Sequence, residues 1–261
     1  MKQTNNTITV IIHTYREENN IEECIKSARL LTNDILVVDM ESDDKTCHIA
    51  EKEKVRIISF PHSDYVEPAR EFGIKNTESD WVFLLDADER ITLELVQEIK
   101  SIIANNFDSG RFTHYKVSRK NIFYRKWLQY GGWRPDHQIR LFNKSFFKSW
   151  PKEIHSTPLI NGNMGYLSKP LLHYFHGDLE QMVNKTIIFE DIESNLLFKA
   201  GRKTSTPIFF RKYLGELFRR LIMKKGYFDG SIGIIESIYQ AFSKTITYLY
   251  LYEKKLKSRT V

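Results

Sequence analysis

Apolar residues in the first third of the chain fall in short blocks separated by polar, helix-patterned stretches. Thr7–Thr14 (TITVIIHT) is β-branched and apolar, the composition of a central strand. After the polar break Tyr15-Arg16-Glu17-Glu18-Asn19-Asn20, residues Ile21, Cys24, Ile25 and Ala28 recur on one helical face. Asp34–Asp39 (DILVVD) predicts a second buried strand ending in an acid, then a polar loop over Met40–Thr46 and a short helix through Lys52. Val55–Phe60 predicts a third strand, Val66–Thr77 a helix carrying Arg70, and the run ending Leu84-Leu85-Asp86 a fourth strand. Strand and helix alternating at this spacing predict a parallel sheet with helices on both faces.

Beyond Thr92 the pattern changes. Leu93, Val96, Ile99, Ile102 and Ile103 mark an amphipathic helix that Asn105–Gly110 should end. Phe112–Arg119 and Gln138–Asn143 read as strands, and between them lies the aromatic, basic loop NIFYRKWLQYGGWRPDH. Trp and Tyr beside Gly-Gly are costly to expose without a ligand, so this loop is expected to shape a substrate site. Leu179–Phe198 is again amphipathic, and Gly201 with Pro207 marks a break. Arg211–Lys225 mixes Leu, Phe and Ile with Arg and Lys, the composition of a helix lying in a membrane interface. The turn Gly226-Tyr227-Phe228-Asp229-Gly230 precedes a last helix over Ile232–Leu256. The expected division is a first domain over 1–178 and a helical, membrane-associating extension over 179–261.

Composition narrows the class. With 41% hydrophobic residues among 261 the chain can fill a real core, and 28% charged residues without low-complexity sequence argue against disorder. No run approaches the roughly 18 apolar residues a bilayer crossing needs, and Met1–Thr9 is polar, unlike a signal peptide. A cytosolic location is expected. Two cysteines, Cys24 and Cys47, are too few for a zinc site or disulfide framework and read as reduced core residues. The net charge of +6 is uneven: Arg202–Val261 holds 13 Lys/Arg against 4 Asp/Glu. Such a segment calls for an anionic partner. Because its charges sit among aromatic amphipathic helices with no nucleic-acid module, the expected partner is an anionic membrane surface and not nucleic acid.

Candidate chemistry gathers at strand ends. Asp86 and Asp88 close the fourth strand two positions apart, so both can face one ligand. Hard divalent cations take oxygen ligands and leave positions for phosphate oxygens, which makes an Asp-x-Asp strand tip a bridge to a diphosphate. Asp39 ends the second strand, and Thr14, Tyr15 and Glu17 follow the first. Parallel strands would bring them all to the edge where open α/β sheets bind ligands. Arg70 is placed to oppose phosphate charge. His155 and His173 are candidates for a further metal contact, whereas Glu89 and Asp44 read as surface or capping acids.

The segments Thr14-Tyr15-x-Glu17, Val37-Val38-Asp39-x-x-Ser42-x-Asp44-x-Thr46 and Asp80-Trp81-Val82-Phe83-Leu84-Leu85-Asp86-Ala87-Asp88-Glu89 together resemble the nucleotide-sugar-binding half of family 2 glycosyltransferases. Gly131-Gly132-Trp133-Arg134-Pro135-Asp136-His137-Gln138-Ile139-Arg140-Leu141-Phe142 and the Gly226–Gly230 turn resemble the branch with the lipopolysaccharide inner-core β-1,4-glucosyltransferases. The resemblance implies an α/β protein of GT-A fold, a Rossmann-like mixed sheet flanked by helices with an amphipathic carboxyl-terminal extension. It implies an inverting enzyme moving a hexose, glucose from UDP-glucose, onto a lipid-linked saccharide such as inner-core heptose, or onto capsular or other surface polysaccharide. By position it implies that Thr14, Tyr15 and Glu17 line the nucleotide pocket, Asp39 holds uracil or ribose, and Arg70 sits near the diphosphate. Asp86 would contact ribose or metal, Asp88 would coordinate Mn²⁺ or Mg²⁺, and Asp136 would be the general base. Trp133, Gln138 and Arg140 would serve the acceptor or the diphosphate. The carboxyl-terminal helices would hold such an enzyme peripherally at the cytoplasmic face of the inner membrane.

Overall fold

The computed structural model describes residues 7–258 apart from 110, 176 and 178, with side chains described except those of 105–109. The expected domain boundary at residue 178 and the expected helix end at Gly110 fall outside the described residues. Described residues up to Lys120, with Asp136–His173, form one compact unit; Asn121–Pro135 and the described residues from Tyr174 onward form a second. The aromatic loop, expected within the first domain, thus groups with the carboxyl-terminal helices. The reason is apolar: Phe123 and Leu128 are buried with Phe175 and Met182, and Trp133 packs against that cluster.

The first unit opens with β1 (Ile8–Thr14), α1 (Ile21–Arg29), β2 (Ile35–Asp39), α2 (Thr46–Lys52), β3 (Arg56–Ser59), α3 (Glu67–Lys75) and β4 (Trp81–Asp86). The four strands lie in the order β3-β2-β1-β4, all parallel, as the alternating pattern predicts. Local signals agree with this. In α1, for example, Glu22 and Glu23 occupy the first turn and Lys26 and Arg29 the last, each sign favourable to the helix dipole.

There follow β5 (Glu89–Arg90), α4 (Leu93–Ser109), β6 (His114–Phe123), β7 (Lys126–Trp127), β8 (His137–Asn143), β9 (Phe147–Ser149), β10 (Leu159–Ile160), β11 (Met164–Tyr166) and β12 (Leu171–Tyr174). Here the parallel pattern of the first four strands gives way to antiparallel pairing, which makes the sheet mixed, as the resemblance implies. β8 is antiparallel to β4, and β6 is antiparallel to β8. No helix lies between β6 and β8, and strands joined without a crossover can pair only antiparallel.

Side chains alternate across the sheet. Val10, Ile12, Val37, Phe83 and Leu85 meet α1 and α4 through Ile21, Ile25, Leu95 and Ile99. Ile11, Leu36, Val38, Val82 and Leu84 meet Ala69, Ile74, Phe142 and Trp150 on the other side. Because both faces are covered, the strands read as unbroken apolar runs. Each fully buried Leu, Ile or Phe contributes about 1.5–3 kcal/mol.

In the second unit α5 (Leu179–Lys199) and α6 (Thr206–Phe218) both pack on α7 (Gly230–Lys257). Pro207 lies in the first turn of α6, where its missing N–H costs no hydrogen bond. The Gly226–Gly230 turn is a buckle. A Cβ on Gly233 would lie 2.1 Å from the Gly226 carbonyl oxygen, so these segments touch backbone to backbone. Buried Asp229 accepts the main-chain N–H groups of Gln129 and Tyr130 at 2.9 and 2.8 Å, and its own carbonyl accepts from Lys126 Nζ. That anchors the aromatic loop. Among the described residues no helix is long and apolar enough to cross a membrane.

Candidate active site

Strand register gathers the acids of the first unit. Thr14 pairs with Asp39 across β1 and β2, and His13 with Asp86 across β1 and β4. β8 runs the opposite way beside β4, with Leu141 opposite Phe83, so the start of β8 approaches the end of β4. Asp39, Asp86, Asp88 and Asp136 consequently share one rim, at the carboxyl ends of the parallel strands.

Along that rim runs a chain of ion pairs. Arg70 of α3 donates to Asp86 Oδ1 at 2.6 Å, and Arg140 of β8 donates to Asp86 Oδ2. Arg140 also donates to Glu89 Oε1 at 2.6 Å, and Arg119 Nη1 lies 3.5 Å from the same oxygen. Arg119 then donates to Asp136 Oδ2 from Nε at 2.9 Å, with Nη2 at 2.8 Å, while Gln138 Nε2 donates to Asp136 Oδ1 at 3.2 Å. Three carboxylates alternate with three guanidinium groups. Burial alone would raise the Asp86 carboxyl, but Arg140 and Arg70 outweigh it and hold it well below the usual carboxylate range. Burial likewise works against the charge on Arg140, and Asp86 and Glu89 overcome it.

Arg70 is seated by a buried histidine. Its Nη1 stands 3.1 Å from His13 Nδ1, and since guanidinium only donates, Nδ1 must accept. Burial and the charge of Arg70 push the imidazole well below its ordinary range, so His13 is neutral at physiological pH. Gly73 makes room for it: a Cβ there would lie 3.1 Å from His13 Nε2 and 3.0 Å from Ile11.

The expected nucleotide side is built from β1, β2 and the loops after them. Asp39, 3% exposed, accepts from Ser42 N at 2.9 Å and Ser42 Oγ at 2.6 Å. The Thr14 hydroxyl is buried without a hydrogen-bond partner. The Tyr15 ring lies 4.4 Å from that of His62, centroid to centroid. Glu17 accepts from Asn20 Nδ2 at 2.7 Å and donates its main-chain N–H to Thr46 Oγ1 at 2.8 Å. Thr14, Tyr15, Glu17 and Asp39 are thus brought together.

Asp88 faces a different partner. Its Oδ2 lies 3.5 Å from His173 Nε2 of β12, a carboxylate oxygen opposite an imidazole nitrogen. No group of three or more ligating side chains occurs among the described residues. The Asp88 carboxylate with phosphate oxygens completing the shell fits Mn²⁺ or Mg²⁺ bound together with a diphosphate, and the added imidazole nitrogen of His173 favours Mn²⁺ over the harder Mg²⁺. His155 is exposed and tied through its main-chain N–H to Glu67 of α3 at 2.8 Å. Of the two candidate histidines, His173 is the one beside Asp88.

Several expectations change. Asp86 has each oxygen engaged by a buried arginine, so its first role is to seat Arg70 and Arg140. Glu89, read as a surface or capping acid, is 0% exposed and joins the two halves of the ion-pair chain. Trp133 belongs to the second unit, its ring 4.5 Å from Phe175 and 5.6 Å from the Arg220 guanidinium. Cys24 is a buried free thiol as expected, but Cys47 is only half-buried. Arg119 is a further residue of this site, to which the sequence alone assigns no role. β6 also carries Lys116 and Lys120, and only its register against β8 sets Arg119 beside Asp136.

Residues 9–171 match Glycosyl transferase family 2. An uncharacterised glycosyltransferase of Rickettsia typhi is 30% identical over 264 residues, covering 97% of this chain and 89% of the relative. The lipopolysaccharide core biosynthesis glycosyltransferase LpsC of Rhizobium meliloti is 22% identical, covering 97% and 94%. Among solved structures, S. aureus TarS 1–349 aligns with a TM-score of 0.51 at 15% identity, over 97% of this chain and 91% of that one. It shares the fold. The family match spans β1 through the start of β12, the elements that carry the ion-pair chain, and on that match and the full-length similarity to the Rickettsia protein this chain belongs to Glycosyl transferase family 2.

Proposed function

We propose that this glycosyltransferase transfers a hexose with inversion from a UDP-sugar, glucose in first place, to a hydroxyl of a lipid-linked saccharide. The carrying observation is that Asp88 beside His173, Asp39 beside Thr14, and Asp136 gripped by Arg119 occupy one rim. Thr14, Tyr15, Glu17 and Asp39 hold the uridine, while Asp88 and His173 hold Mn²⁺ or Mg²⁺. When bound, the cation supplies Lewis-acid stabilisation of the departing diphosphate. Asp136 accepts the acceptor hydroxyl's proton as that oxygen attacks the anomeric carbon, and the bond to the diphosphate oxygen breaks with its electron pair. Gln138 and Arg119 keep Asp136 aimed.

The donor assignment draws support from TarS, whose structure has been solved with UDP-GlcNAc. That neighbour makes UDP-N-acetylglucosamine the second candidate donor. The name of LpsC supports a lipopolysaccharide-core acceptor, with capsular or other surface saccharide as the alternative. Calorimetric titration with UDP-glucose, UDP-galactose, UDP-N-acetylglucosamine, a GDP-sugar and a dTDP-sugar, each with and without Mn²⁺, tests the donor site. A UDP-sugar should bind best and only weakly without cation. Preference for another nucleotide sinks the donor reading, and cation-independent binding sinks the role given to Asp88.

The second unit supports attachment to the cytoplasmic face of an anionic membrane. Phe210, Leu214, Phe218 and Ile222 recur every four residues on α6 and the turn after it, all exposed, beside exposed Arg211, Arg219, Lys224 and Lys225. Such a stripe buries apolar side chains at the headgroup level while its cations meet anionic lipid. The protein should sediment with phosphatidylglycerol liposomes at low ionic strength and be partly released at about 0.5 M salt, where the Debye length has fallen below about 8 Å. Leu214→Glu with Phe218→Glu should abolish sedimentation. Wild-type protein remaining in the supernatant at low salt ends the membrane reading.

A further inference from the structure

We propose that Arg119, braced by Glu89, is the positioning residue for Asp136, fixing the direction in which that carboxylate meets the acceptor hydroxyl. The inference rests on the reading of Asp136 as the general base. β6 and β8 bring the two residues together through the main chain first, Arg119 N donating to Asp136 O at 2.8 Å. The guanidinium then delivers two N–H groups to Oδ2, from 2.9 and 2.8 Å, and the Gln138 amide one to Oδ1, from 3.2 Å. With an oxygen held on each side, the carboxylate cannot turn about its Cβ–Cγ bond without breaking charge-assisted bonds.

Arg119 needs holding in its turn, because its long side chain has several rotors. Glu89 supplies that hold. It is wholly buried, its Oε1 lies 3.5 Å from Arg119 Nη1 and accepts from Arg140 at 2.6 Å, and its Oε2 accepts the Asp86 main-chain N–H at 3.1 Å. The brace is therefore pinned to the tip of β4, immediately after Asp88. One short strand, β5, thus links the residue that faces His173 with the side chain that aims the base. Lysine could replace the charge of Arg119 but not its fork, which contacts Asp136 and Glu89 at once. Misaligning a base by about 1 Å is enough to cost about 100-fold in rate.

The test follows UDP release from UDP-glucose and UDP-N-acetylglucosamine with Mn²⁺ and water as acceptor, in wild type, Arg119→Ala, Arg119→Lys, Glu89→Gln and Asp136→Asn. Arg119→Ala should lose about 100-fold in kcat with donor KM and UDP affinity within about twofold of wild type. Arg119→Lys should lose about tenfold, and millimolar guanidinium should restore part of the Arg119→Ala loss. The acid limb of kcat/KM should move to higher pH in Arg119→Ala, since the carboxylate loses its adjacent cation. A readout free of turnover accompanies these: the Asp136 side-chain carboxyl carbon in ¹³C-aspartate-labelled protein, identified by its absence from Asp136→Asn, should shift in Arg119→Ala and, less, in isosteric Glu89→Gln. An unchanged resonance, an Arg119→Ala kcat near wild type, or a loss that appears wholly in donor KM overturns the proposal. Turnover retained by Asp136→Asn overturns the base reading instead, whereas an inactive Asp136→Asn beside an active Arg119→Ala removes the positioning role alone.

Discussion

Asp88→Ala should lower Mn²⁺ affinity, measured by electron paramagnetic resonance in the presence of UDP, by more than the roughly 10–100-fold that loss of an outer-shell partner costs. UDP release should fall by a larger factor still, because donor binding and leaving-group stabilisation are lost together. The thermal midpoint should stay near that of wild type. Asp88 lies partly exposed beside His173, and shortening it leaves no buried cation without a counter-charge. His173→Ala should act in the same direction with a smaller effect on Mn²⁺ affinity. Asp86→Ala, two residues away, is the contrast: it takes from buried Arg70 its ion-pair partner and leaves buried Arg140 with Glu89 alone, and should show itself first in stability. Wild-type Mn²⁺ affinity in Asp88→Ala would remove this acid from the metal site.

The second large effect is on folding. Arg140→Met should destabilise the protein by about 3–5 kcal/mol, the range for breaking a buried ion pair from one side, because Asp86 and Glu89 both lose their nearest cation. Urea unfolding monitored by circular dichroism reads this directly. Arg140→Met with Glu89→Met should recover much of the loss, since exchanging both partners for apolar groups is often close to neutral. Its kcat should stay depressed, by no more than the about 100-fold expected of Arg119→Ala, because Arg119 has lost its brace. The pH dependence follows from Asp86. Its folded-state carboxyl is held well below the ordinary range, so the stability it contributes is fully present above the unfolded value of about 3.9 and drains away as pH falls through the folded value. Acid unfolding of the wild type should therefore set in below about pH 4. If Arg140→Met unfolds at the wild-type urea concentration, the ion-pair chain contributes nothing to the fold.

The parts that could be read from sequence are those where a single strand or helix determines the outcome. Apolar blocks such as Ile8–Thr14 and Trp81–Asp86 are buried on both faces, and a carboxylate at the end of such a block lands at the ligand-binding edge. That logic placed Asp39, Asp86 and Asp88 on one rim with Thr14. It does not extend to β8 and β6, whose antiparallel pairing depends on how the chain returns. The role of Glu89 is not legible locally, because it comes from arginines 30 and 51 positions away. Next to Asp88 an acid looks like one more helix-capping or solvated charge; only when β5, β6 and β8 meet does it become the centre of a neutral cluster. Trp133 likewise gains a neighbour that its local sequence does not show: tryptophan beside two glycines points to a ligand, and the structure adds a ring contact with Phe175, 42 positions later in the chain by their numbering.

The buckle at Asp229 bears on the order in which a growing polypeptide can mature. Gln129 emerges from the ribosome 100 residues before the carboxylate that will receive its amide hydrogen. Phe175 and Met182 arrive within that interval, but Ile232 and Tyr239, which complete the apolar cover around Phe123, Leu128 and Trp133, follow only after it, when every strand of the first unit has already been made. Vectorial synthesis thus leaves a sticky hairpin in waiting, and the helices that silence it arrive last.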